Sequence, residues 1–125
     1  MLCDSNILIY AADPDDTCCA PYAQRDDAAI AVVSRIEVLG FHGFVNLSEA
    51  RRARLREVVA SMVELGMNEP VVQRAIALPQ QKKMSLADAI IAATALVHAL
   101  PLVTRNVDDF KHIVGLELIN PLGAT

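Results

Sequence analysis

Short apolar runs recur along the chain, and each stops at polar residues suited to opening a helix. Met1 to Cys3 runs into Asp4-Ser5-Asn6, and Ala29 to Val33 runs into Ser34. Leu102 and Val103 follow Pro101 and precede Thr104, and Leu116 to Ile119 is closed by Asn120 and Pro121. Runs this short and apolar predict strands buried on both faces. The segments between them have the other period. Leu47 to Leu65 carries Leu55, Val58, Val59, Met62 and Val63 with arginines between, and Glu69 to Lys83 and Leu86 to Ala99 show similar spacing, which predicts a helical middle. Strands alternating with helices predict an α/β fold, a parallel sheet covered on both faces. In such sheets ligands sit beyond the carboxyl ends of the strands, so the residues just after each strand carry the most interest.

Composition narrows the classes. The chain has 125 residues, 54% hydrophobic and 21% charged, enough apolar material for a core and too much for a disordered chain. No repeat or linker divides it, so one domain over residues 1–125 is expected. The longest apolar stretch, Ala87 to Leu102, is broken by Asp88, His98 and Pro101, and Asp4 stands where a signal peptide would be basic; no membrane span and no leader are expected. Three cysteines, two of them adjacent, draw neither a disulfide framework nor a metal-ligand spacing, which fits a reduced, cytoplasmic setting. A net charge of -4 argues against coating nucleic acid through bulk charge, and 4% aromatics without Trp leave no base-stacking platform.

The candidate chemistry lies in acids at the predicted strand ends. Asp4 ends the first strand, Glu37 follows the second, and Asp108 and Asp109 follow the third within Thr104-Arg105-Asn106-Val107-Asp108-Asp109-Phe110. Asp88 opens a nearly uncharged helix in Ser85-Leu86-Ala87-Asp88. Ser34 to Glu37, Ser85 to Asp88 and Asn106 to Asp109 also have the spacing of a capping box, in which such acids serve only helix N–H groups. Asp4 resists that reading, because Ser5 and Asn6 stand beside it as better caps, and a buried unpaired carboxylate is costly. Acids that converge without a lysine partner repel one another unless a cation neutralises them. Oxygen-only ligands select Mg or Mn over Zn. His42, His98 and His112 are scattered and supply no softer site, and neither a nucleophile elbow nor a glycine-rich phosphate loop is present.

Asp4-Ser5-Asn6-Ile7-Leu8-Ile9-Tyr10-Ala11, Ser34-x-x-Glu37, Leu86-Ala87-Asp88-Ala89-Ile90-Ile91-Ala92-Ala93-Thr94-Ala95 and Leu102-Val103-Thr104-Arg105-Asn106-Val107-Asp108-Asp109-Phe110 together resemble the PIN-domain family, and within it the VapC-like toxins. The resemblance spans almost the whole chain, to Ile119-Asn120-Pro121. It implies a three-layer α/β/α sandwich with a mainly parallel sheet, a Mg- or Mn-dependent endoribonuclease, and a VapB-like antitoxin that blocks the active site. Asp4, Glu37 and Asp88 match the family's most regular acids and would bind the metal. Asn106 and Asp109 compete for a fourth position, since some members have an aspartate where this chain has Asn106; Asp108 is read as a solvated residue. Ser5, Asn6 and Thr104 would hold the carboxylates in place.

Arg51, Arg52, Arg54 and Arg56 form the one dense basic run, a solvated helix face or a contact for RNA or an acidic antitoxin segment. A small apolar-rich domain is also expected to pair as a homodimer. Two rivals stand beside the nuclease. A non-catalytic PIN-like binding module should have lost the acids that are intact here. A phospho-receiver domain needs a mid-chain phosphoacceptor Asp and a late Lys, neither of which is found.

Overall fold

The structure, a computed structural model, describes residues 1–123. Five strands form one parallel sheet: β1 (Leu2–Cys3), β2 (Ala29–Ala31), β3 (Val63–Leu65), β4 (Leu102–Val103) and β5 (Leu118–Ile119). Their order across the sheet is β3-β2-β1-β4-β5, with Leu2 opposite both Ala29 and Leu102, and Cys3 opposite Val103. Helices α1 (Ser5–Ala11), α2 (Ala20–Ala23), α3 (Val32–Gly40), α4 (Glu49–Ala60), α5 (Glu69–Gln81) and α6 (Leu86–Val97) connect them, with 3-10 turns at His42–Asn46 and Val107–Asp109.

Successive strand residues point to opposite faces, and here each face meets its own core. Cys3, Ile30 and Val103 pack with Ile7, Leu8, Val38, Leu55 and Val59 on one side. Leu2, Ala29, Ala31 and Leu102 pack with Val71, Leu78, Ile91 and Phe110 on the other. These are the three layers expected, and they explain why the central strands read as continuous apolar runs. No helix among the described residues is long and apolar enough to cross a membrane.

The structure corrects several local expectations. The predicted helix Leu47 to Leu65 is α4 followed by the edge strand β3: Ser48 caps α4 by accepting from the Arg51 N–H at 3.1 Å, and the helix stops at Ala60. Val63 and Glu64 are exposed and only Leu65 packs against a core, so this strand has little buried face to show in the sequence, and Met62, Val63 and Leu65 pass for helical spacing. The second strand ends at Ala31 and Val32 already begins α3, which puts Ser34 inside the helix with no capping role. The predicted helix near Asn106 is a single 3-10 turn, and the Asn106 side chain makes no cap hydrogen bond. Asp4, read as a poor cap, is the N-cap of α1.

Candidate functional site

The chain builds β1, β2 and β3 outward in one direction, then returns across the sheet to place β4 on the other flank of β1. The loops leaving β1 and β4 therefore diverge and open a crevice at the carboxyl ends of these two strands. Asp4 and Thr104 sit there. Asp4 is 4% exposed and its two carboxylate oxygens are held separately: Oδ1 accepts from the Ile7 N–H of α1 (3.1 Å), Oδ2 from the Thr104 hydroxyl (2.6 Å). Thr104 Oγ1 accepts in turn from the Asn106 N–H at 3.0 Å. Each Asp4 oxygen keeps a lone pair free.

A pocket of about 170 Å³ opens on this carboxylate, lined by Asp4, Ser5, Asn6, Glu37, Asp88, Ile91, Asn106 and Asp109. Four acids thus meet from four segments. Glu37, two turns into α3, is reached by the Ser5 hydroxyl at 2.6 Å. Ser5 has a single hydrogen to give, so the 3.1 Å contact between its Oγ and that of buried Ser34 is completed by the Ser34 hydroxyl. Asp88 lies in the first turn of α6, whose N-cap Ser85 accepts from the Asp88 N–H at 3.1 Å. Asn106 and Asp109 enter together from the turn after β4. Asp108 does not line the pocket; it points to solvent and pairs with Lys111 at 2.9 Å.

Electrostatically the site is a concentration of negative charge with no fixed counter-ion. None of the eight lining residues is a lysine or arginine. Burial, and then the nearby Asp88, push the Asp4 carboxyl above its ordinary range against the pull of Thr104 and Ile7. Burial also raises Asp88, with Asp109 and Glu37 adding to it and Ser85 opposing. Burial and Asp4 push the neighbouring Cys3 thiol up to about 12, which makes it an inert core group. The donor set, carboxylate, amide and hydroxyl oxygens, suits a hard divalent cation, which would relieve the repulsion. Among the described residues no three His, Cys, Asp or Glu side chains are already drawn together around one point, so the coordination shell is not closed in advance.

The arginine run is used mostly within the molecule. Arg52 donates to the carbonyls of Val45 and Leu47, Arg51 pairs with Asp13 at 3.7 Å, and Arg56 lies over the Phe44 ring. Sequence reasoning passed over three residues around the pocket. Ile91, one helical turn beyond Asp88, supplies its apolar wall; Ser34 supports Ser5; and Arg105 reaches away from the pocket to Tyr10 and Asp16. Ile91 could have been found through its spacing from Asp88 and Ser34 through its place in the Ser34-x-x-Glu37 motif, whereas nothing in the sequence pairs Arg105 with Tyr10 or Asp16.

Comparison with known proteins agrees with the topology. Among curated proteins none matches the chain. Among solved structures, a toxin–antitoxin complex from Klebsiella pneumoniae contains a chain 31% identical to this one, with a TM-score of 0.75 and 96% of each chain covered. VapBC2 from Rickettsia felis, bound to a DNA fragment from its promoter, has a chain 21% identical, with a TM-score of 0.77 and 95% of this chain and 96% of that one covered. FitAcB from Neisseria gonorrhoeae is likewise 21% identical, with a TM-score of 0.76 over 98% and 99%. The family model of the PIN domain matches residues 1–116, nearly the whole length over which the strands, helices and pocket have been described, and the chain belongs to the PIN domain family.

Proposed function

We propose that the protein is a Mg²⁺- or Mn²⁺-dependent endoribonuclease and the toxin of a toxin–antitoxin pair, acting in the cytoplasm. The observation that carries this reading is the pocket at the strand ends of a PIN-family chain: four carboxylates, one of them nearly buried, and no basic partner. Asp4 and Asp88 would hold the cation, with Glu37 as a further ligand or as the acceptor that orients the attacking water. A cation held there would supply charge neutralisation at the phosphodiester and would lower the pKa of that water. Thr104 fixes the Asp4 carboxylate by its hydrogen bond, and Ser5 does the same for Glu37. The Asn106 amide and the Asp109 carboxylate, which also line the pocket, would orient water or the leaving group.

The Klebsiella chain is a component of a toxin–antitoxin complex, and at 31% identity it supports the same role here. A VapB-like partner would cover the acids with a basic side chain standing in for the cation's charge. The protein itself would pair as a homodimer. The test is to incubate purified protein with structured RNAs, with and without Mg²⁺ or Mn²⁺, and map the new ends. Metal-dependent internal cuts are expected, abolished in Asp4→Asn with the fold kept and slowed in the partner complex. Cleavage by Asp4→Asn at the wild-type rate overturns the assignment.

A further inference from the structure

Arg105 follows Thr104 and precedes Asn106, yet its side chain turns away from the acids. Its guanidinium carbon lies 4.0 Å from the centre of the Tyr10 ring, in the last turns of α1, and its Nη1 is 3.5 Å from Asp16 Oδ2. Asp16 is itself fixed: its other oxygen, Oδ1, accepts from the N–H groups of Cys18 (3.0 Å) and Cys19 (2.9 Å), and its side chain is 14% exposed. One arginine thus ties the turn leaving β4 to both the end of α1 and the loop that follows it. The same turn presents Thr104 to Asp4, which caps the beginning of α1. The clasp and the Thr104 hydrogen bond therefore join the same two segments at two points.

We propose that Arg105, gripped by Tyr10 and Asp16, is a positioning residue that holds the Thr104–Asn106 turn against Asp4 and so sets the affinity of the acid pocket for its divalent cation. This rests on the nuclease reading of the pocket. The guanidinium meets the Tyr10 ring and the Asp16 carboxylate at once, and the compact ammonium of a lysine can keep the charge but not both contacts together.

Two measurements on the full chain test it. In metal-free protein, hydrogen exchange at the Asn106 amide, the group that donates to Thr104 Oγ1, reads the order of the turn directly. Exchange should quicken about tenfold in Arg105→Ala and in Asp16→Asn, which keeps an acceptor for the Cys18 and Cys19 amides, and less in Arg105→Lys. With Mn²⁺, the concentration giving half-saturation of binding and half-maximal cleavage should rise about tenfold in Arg105→Ala, as for other groups that orient metal ligands. The rate at saturating Mn²⁺ should stay within about threefold of wild type, and Arg105→Lys should recover part of the binding loss. Unchanged Asn106 exchange overturns the clasp whatever the pocket does. A raised KM for RNA with unchanged Mn²⁺ binding also overturns it, making Arg105 a phosphate contact instead. A wild-type protein that neither binds Mn²⁺ nor cleaves overturns the nuclease reading, and with it the effect on metal affinity, while the exchange result still reports on the turn.

Discussion

Asp4 shows how one residue can serve both fold and site. It caps α1 through Oδ1 and receives Thr104 through Oδ2, but it is buried among other acids, and its carboxyl is raised by burial first and by Asp88 second. A raised carboxyl binds more protons in the folded than in the unfolded chain, so its contribution to stability is present at low pH and is lost as pH rises through the folded value. In chelator-treated protein, Asp4→Asn should therefore match wild type in acid and equal or exceed it in thermal midpoint near neutrality. An asparagine less stable than wild type at neutral pH would show that the carboxylate's hydrogen bonds outweigh its repulsion. The turn after β4 gives a second contrast. Asp109 lines the pocket and makes no capping bond, whereas Asp108 points to solvent. Asp109→Ala should reduce cleavage sharply with stability within about 0.5 kcal/mol of wild type, and Asp108→Ala should leave both nearly unchanged. Asn106→Ala should lower the rate without abolishing it, and cleavage rates across a Mg²⁺ series for the three variants check this.

Among the elements, α6 carries the least expected ending. Ala99 adopts φ 53°. The Leu100 N–H bonds back to the Ala95 carbonyl at 2.9 Å and the Ala99 N–H to that of Leu96 at 3.2 Å. This is the paired bonding of a helix closed by a left-handed residue, a position that favours glycine because a Cβ is strained there. Ala99 is exposed and its Cβ fills no core space. Ala99→Gly should stabilise the protein by about 0.5–1 kcal/mol, the strain relieved less the added freedom of the unfolded chain, read from the urea midpoint. The capping-box spacings show what pattern reading can and cannot do. Ser85 does cap α6, whereas the same spacing at Ser34 is an accident of a helix that starts two residues earlier. Spacing specifies that two side chains share a helix face but leaves open where the helix begins.

At the scale of the whole molecule, the site exists because β4 returns beside β1 instead of extending the sheet beyond β3. Residues a hundred positions apart then touch: Thr104 donates to Asp4 across the crevice. Ligands that bind only the folded state stabilise it, by about 2.7 kcal/mol at a concentration of 100 Kd. For a chain of this length that amounts to roughly 10 °C in Tm. Adding Mn²⁺ should raise the midpoint of wild type by this order and leave Asp4→Asn almost unmoved. A shift of equal size in both proteins would place the bound ion elsewhere.

The sequence by itself determined the layering and the identity of the acids. Strands with apolar residues on both faces demand two covering layers, and acids at strand ends and at the start of an apolar helix have no lysine partner to neutralise them. Asp4, Glu37 and Asp88 were legible in this way, while Asn106 and Asp109 stayed in competition; all five line the pocket. Tertiary structure alone decided the rest. The strand β3 was hidden because an edge strand of three residues has too short a period and too little burial to mark itself. Asp4 became a cap because the chain turns into α1 immediately after β1. Arg105 found Tyr10 and Asp16 because the β4 exit lies over the end of α1. Local pattern encodes which face a residue occupies within its own element; which elements become neighbours is settled by strand order, a property of the collapsed chain as a whole.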